Sequence, residues 1–153
     1  MTDGRDTLRA WLTLLNSSNA IKKSVDAQLR ARFGISISRF DVMSALDRRD
    51  PDGLRAGELS RQLMVTEGNT TQVTAPLIRD GLVERRPSPD DARGVIFSLT
   101  EEGRALFADM AGEHKEWIHD AFARLGAQDL SDLRALLDKL EPDTQIHTKR
   151  KNA

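Results

Sequence analysis

The spacing of apolar residues changes period once along this chain, and that change limits the fold to few classes. Up to about residue 80 the apolar positions recur at helical spacing. From 82 to 99 they alternate, and beyond 100 the helical spacing returns. Leu82–Arg86 reads as one strand. Val95, Phe97 and Leu99 alternate with Ile96 and Ser98 to make a second. Between them, Pro87-Ser-Pro-Asp-Asp-Ala-Arg-Gly94 has the residue types of a solvated turn, so the pair is a β-hairpin.

The helices on either side carry their own stop and start signals. Leu8, Trp11, Leu12, Leu15, Val25 and Leu29 form an apolar stripe that Gly34 ends. Ser38 is the expected cap of a helix bearing Phe40, Met43 and Leu46, and Asp50-Pro-Asp-Gly53 reads as a turn. Glu58–Leu63 is a short helix, and Thr66 caps another that runs to about Asp80 and closes at Gly81. After the hairpin Thr100 caps a long helix, with Glu101 and Glu102 at the positive end of its dipole. A last helix carries Leu130, Leu133, Leu136, Leu137 and Leu140 and stops at Pro142.

Two short helices followed by a hairpin is the winged helix-turn-helix order. The fold class is therefore mainly α with a small β-hairpin wing and terminal dimerisation helices. One domain of residues 1–153 is expected. A winged-helix lobe spans about 38–100, dimerisation helices about 1–33 and 101–142, and a tail expected to be disordered 143–153. The leucine-rich stripes of the terminal helices must be covered by something, and an identical chain is the commonest partner.

Composition excludes several functions. The chain has no cysteine, so disulfides, thiol catalysis and thiolate metal sites are ruled out. His114 and His119 are five apart, not at the i, i+4 spacing of helical zinc motifs, so neither metal nor cofactor is expected. No phosphate loop, nucleophile elbow or dinucleotide fingerprint is present, and the chain reads as no enzyme. The polar start, Met1–Asp6, lacks the apolar core of a signal peptide, and no apolar run is long enough to span a membrane. A cytoplasmic protein is expected. The net charge is −1, and Thr66–Thr100 holds Arg79, Arg85, Arg86 and Arg93 against Glu67, Asp80, Glu84, Asp90 and Asp91. Bulk attraction to a polyanion is thus no argument here, and any nucleic-acid role rests on placement.

Placement is informative. A recognition helix presents the residues near its start to base edges, here Glu67, Gly68, Asn69, Thr70, Thr71 and Gln72. Asn and Gln can pair bidentately with adenine, and Thr can touch a thymine methyl. Val73, Leu77 and Ile78 face inward. Arg93 sits at the hairpin tip, suited to a narrow minor groove, and Asp91 is placed to hold its guanidinium. Arg61, Arg85 and Arg86 add candidate phosphate contacts. Pro76 removes a helical hydrogen bond to Gln72, so a bend or tightened turn is expected there. A small-molecule pocket is a further expectation. Trp11, Phe40, Met43, Met110 and Trp117 supply its walls, Ser18 and His114 its polar anchors, and Arg39 a fork for a carboxylate or phosphate. An aromatic acid or its coenzyme A thioester would suit it.

Residues 63–103 also resemble the MarR family of bacterial regulators. The resemblance is carried by Val65-Thr-Glu-Gly-Asn-Thr-Thr71, Leu77-Ile-Arg-Asp-Gly-Leu-Val-Glu-Arg85, Asp90-Asp-Ala-Arg93 and Leu99-Thr-Glu-Glu-Gly103, and the flanking helices extend it over nearly the whole chain. It implies a triangular homodimer that binds a palindromic double-stranded DNA operator, represses nearby genes and is released by a small effector, often aromatic. It assigns Asp91 and Arg93 the same two wing roles. The alternative is a helical protein-interaction module without DNA binding, which leaves the Asp-x-Arg tip beside a polar helix start without a reason.

Overall fold

A computed structural model describes residues 3–63 and 67–140, except for the side chain of Glu67. The expected Thr66 cap and the tail at 143–153 lie outside the described residues. The elements run α1 (Gly4–Phe33), α2 (Ile37–Asp47), β1 (Leu54–Arg55), α3 (Ala56–Leu63), α4 (Glu67–Arg79), β2 (Val83–Pro87), β3 (Val95–Leu99), α5 (Glu101–Ala121) and α6 (Ala127–Asp138). The chain divides into two compact units, Met1–Ile118 and His119–Ala153.

In the first unit α1 starts at Asp3, whose carboxylate accepts from the Arg5 N–H, and ends at Gly34. Gly34 has φ 67° and donates its N–H to the Arg30 carbonyl. A residue with a Cβ adopts that left-handed conformation at a cost, which is why glycine stops the helix there. The cap of α2 is Ser36, whose hydroxyl accepts from the Arg39 N–H, and not Ser38. Two serines at alternate positions offer the same chemistry, and the upstream one wins because Ile37 is already helical. Its N–H donates to Asp26 Oδ1 at 2.8 Å, tying α2 to α1. That hydrogen bond, then the Arg30 guanidinium, holds the Asp26 carboxyl below its ordinary value.

The hairpin forms as its alternation predicts, with Val83 opposite Leu99 and Arg85 opposite Phe97. A third strand, β1, adds to its far side, so β3 is central in the order β1-β3-β2. Leu54 pairs with Phe97 and Arg55 with Ile96. Central position explains a departure from strict alternation. Ser98 is buried as well as Phe97 and Leu99, and its hydroxyl donates to Glu84 Oε1 at 3.2 Å. Gly53, at φ 80°, leads into β1. A Cβ there would overlap the Phe97 carbonyl oxygen, so glycine is required by both conformation and contact. Thr100 caps α5 as expected. It accepts from the Gly103 N–H at 3.0 Å and donates to the Gly81 carbonyl at 2.6 Å, closing α4 and opening α5 with one hydroxyl.

Leu29, Met43, Leu46, Leu59, Leu77, Leu99 and Met110 are at most 1% exposed and form the centre of the core. Each such side chain contributes about 1.5–3 kcal/mol relative to exposure. Every ion pair among the described residues has a partner at least 42% exposed. Exposed pairs contribute about 0–1 kcal/mol, so burial and not charge pairing sets the stability. The core stops short of the start of α1, where Leu8, Trp11 and Leu12 are 57%, 53% and 45% exposed. In the second unit α6 is capped by a hydrogen bond from the Gly126 N–H to Asp129, and it leaves Leu130, Leu136, Leu137 and the following Leu140 exposed.

Candidate nucleic-acid interface

The helix pair α3 and α4 is joined by buried hydroxyls. Ser60 Oγ donates to the Ala56 carbonyl at 2.9 Å, and Ser60 Oγ and Thr70 Oγ1 are 2.9 Å apart. One turn on, Thr74 Oγ1 donates to the Thr70 carbonyl at 2.9 Å. Thr70 and Thr74 are each 1% exposed. Thr70 is therefore corrected from a base-reading residue to one that sets how the two helices meet. Buried hydroxyls need partners, and their partners are directional, so this contact fixes geometry as apolar packing alone does not.

The outer face of α4 is polar and open. Gly68, Asn69, Thr71 and Gln72 are exposed, whereas Leu77 is buried and Val73 and Ile78 are half-buried. Glu67 opens the helix. The helix is continuous through Pro76. The lost hydrogen bond falls on the carbonyl of exposed Gln72, which water can satisfy.

At the wing, the Gly94 N–H donates to the Asp91 carbonyl at 2.9 Å, making a tight turn, and Ser88 donates its N–H to the Gly94 carbonyl at 2.9 Å. The Asp91 carboxylate accepts from the main-chain N–H of Arg93 at 3.0 Å. Asp91 thus shapes the turn that presents Arg93 and does not pair with its guanidinium. Arg85, Arg86 and Arg93 share a wing cleft of about 340 Å³. All three are exposed, and Arg86 donates to the Asp52 carbonyl at 2.7 Å, a bond that links the wing to the turn before β1. Arg61 is exposed in the last turn of α3. Sequence reasoning missed Arg55, which faces the same side as Arg61 and Arg93 in a cleft between α3 and the wing. No motif marks it, because a two-residue strand has too few positions to show a period.

The residues expected to hold a ligand differ in exposure. Trp11 and Ser18 are exposed on α1, and Ser18 donates to the Leu15 carbonyl. Phe40, Met43 and Met110 lie in the core, while Arg39, His114 and Trp117 are half-buried. A different cleft, of about 310 Å³, is lined by Lys22, Ser38, Asp41, Leu63, Asn69, Gln72 and Val73. It thus adjoins two of the exposed residues of α4. Among the described residues no group of three or more acidic or histidine side chains is placed to hold a metal ion. No described helix is long and apolar enough to cross a membrane.

His114 stacks on Phe40, with ring centroids 4.7 Å apart. Burial holds its pKa below the ordinary 6.5, partly countered by the charge of Asp41. Burial likewise raises Asp41, against the charges of Lys22, His114 and Arg48. The two act on stability with opposite sign. The unfolded chain protonates its histidine at the ordinary value and the folded chain only lower, so folding stability falls as pH drops below about 6.5. Asp41 instead favours the folded state at acid pH and loses that contribution as pH rises through its raised value. Denaturant unfolding at about pH 7.5 and 5.5 should show lower stability at the acid end, and His114→Gln should shrink the difference. An equal difference in both proteins would refute this role for His114.

Comparison with known proteins gives a consistent result. A family model described as the MarR family matches residues 33–94. The HTH-type transcriptional regulator PecS of Dickeya dadantii (strain 3937) is 29% identical over 130 residues, covering 84% of this chain and 78% of PecS. The multiple antibiotic resistance protein MarR of Salmonella typhimurium is 33% identical over 109 residues, covering 71% and 74%. Among solved structures, a mutant MarR from E. coli complexed with operator DNA has a TM-score of 0.80 at 24% identity, over 92% of this chain and all of that one. At that identity the likeness is one of fold.

Proposed function

The chain belongs to the MarR family of transcriptional regulators, and from that premise we propose that it is a homodimer that binds a palindromic DNA operator, represses the adjoining genes and releases DNA when a small effector binds. Such a function places it in the cytoplasm. The observation that carries the reading is the division of α4 into two faces. Thr70 and Thr74 are bonded into the protein, while Gly68, Asn69, Thr71 and Gln72 are exposed at its start. A helix held by its back face and open at its polar first turn can enter a major groove without losing packing.

The effector part of the reading is supported by the cleft that adjoins Asn69 and Gln72. A ligand changes DNA affinity only through unequal binding to the two shapes of the protein. An occupant of this cleft meets α4 directly and so has a route to that inequality. Lys22 in its wall suits a carboxylate. A volume of about 310 Å³ matches a small aromatic acid at the lower end of ligand pockets and favours the free acid over a bulky coenzyme A thioester.

Selection from a random duplex pool tests the DNA reading. Enriched duplexes should share an inverted repeat with half-sites roughly 34–36 Å apart centre to centre. Affinity for them should fall steeply with salt, because neutralised phosphates release counterions. No enrichment would overturn the reading in favour of a protein-interaction module.

A further inference from the structure

A cleft of about 310 Å³ lies between α3 and the turn of the wing, and Arg55, Arg61 and Arg93 line it together with Glu58 and Asp91. Three guanidiniums around one small cleft repel one another unless something negative lies among them. The carboxylates nearby are already engaged. Glu58 is 3.7 Å from the Arg49 guanidinium. The Asp91 carboxylate accepts from the Arg93 main chain. Asp90, on the wing, is 3.2 Å from Arg55, and this pair is the one that joins the cleft to the hairpin. It is also weakly held, with side chains 46% and 79% exposed. An exposed ion pair exchanges readily for a stronger anion that offers more oxygens to the guanidinium fork.

We propose that this cleft is the seat of one DNA backbone phosphate, and that Arg55, released from Asp90, grips it together with Arg61, while Arg93 at the cleft's edge reaches on into the minor groove. The inference rests on the DNA-binding reading above and adds a contact which that reading does not contain. A phosphate here bridges α3 and the wing, so a single contact fixes the wing's register against α3, to which α4 is bonded through Ser60 and Thr70. Ala56 and Gly57, in the first turn of α3, also line the cleft. Asp90 then has two opposed effects. It keeps Arg55 compensated when DNA is absent, and it competes with phosphate when DNA arrives. Contacts to the backbone carry no sequence information, so Arg55 contributes affinity and position but not base preference.

The test uses the full chain and a duplex enriched by selection with the wild-type protein. Arg55→Ala should weaken binding about tenfold, equally for good and poor duplexes, and lower the slope of log affinity against log salt by about one per protomer. Asp90→Asn should strengthen binding several-fold. The melting temperature should change little in either variant, since both side chains are exposed. An unchanged salt slope in Arg55→Ala, or weaker binding by Asp90→Asn, overturns the phosphate seat while wild-type binding leaves the DNA reading intact. If the wild type enriches no duplex, both fall. Inorganic phosphate titrated at constant ionic strength should not displace the duplex. Displacement that Arg55→Ala abolishes would mark a site for the free anion and overturn the backbone assignment.

Discussion

Replacing Arg93 with alanine is expected to weaken DNA binding on the order of a hundredfold, with the fold intact. A guanidinium placed in a narrow minor groove meets the most negative potential the duplex offers. Loss of such a contact costs about 1–2 kcal/mol per site, and a homodimer loses two. The turn itself should survive the substitution. The bond from the residue 93 N–H to Asp91 Oδ1 uses the main chain, and alanine keeps that donor. The Gly94-to-Asp91 bond is also main chain. Arg93→Ala therefore removes the contact without removing the wing. Arg93→Lys should fall between, keeping the charge and losing the planar fork. Asp91→Ala should also weaken binding, but through a looser turn, so its effect should shrink as temperature falls. A fluorescence-anisotropy titration of a selected duplex measures all three. Equal affinity of Arg93→Ala and wild type would remove the wing from the interface.

Most of this architecture is legible in the chain because apolar period reports directly on which face is buried. The hairpin, its turn and the Thr100 cap follow from residue types at fixed offsets, and the structure places them there. The burial of Thr70 follows the same logic. Residues 70, 73, 74 and 77 stand at i, i+3, i+4 and i+7, which puts Thr70 on the inward face with Leu77. A buried threonine with a bonded hydroxyl is polar only in name. The pocket expectation met a different obstacle. Phe40, Met43 and Met110 have the chemistry of a ligand wall and equally that of a core, and burial at 5%, 0% and 0% is a property of packing that no local pattern carries. Arg55 illustrates the third limit. Its place beside Arg61 and Arg93 depends on β1 pairing with β3, a contact across 41 residues that has no local signature.

Trp11→Glu is expected to turn the proposed homodimer into a monomer at micromolar concentration. Leu8, Trp11 and Leu12 share one face of α1 at i, i+3 and i+4 and stand about half exposed, although large apolar side chains are costly to leave in water. A closed dimer uses each surface patch twice, so a change at one position strikes the interface in both copies. Burying a large aromatic side chain contributes about 3 kcal/mol, hence about 6 kcal/mol for the pair, which is roughly four orders of magnitude in the dissociation constant. A glutamate adds the cost of burying charge to that loss. The winged part should stay folded, because the core takes apolar residues of α1 only from Ile21 onward. Leu136→Glu, in the second unit, probes the other exposed stripe independently, and a dimer built from both terminal segments should be weakened by either change. Sedimentation velocity across a dilution series gives the dissociation constants, and far-UV circular dichroism checks the fold. A Trp11→Glu protein that sediments as a wild-type dimer would remove this face of α1 from the interface, and a monomeric wild type would leave the palindromic operator without a physical basis, since two half-sites need two linked recognition helices.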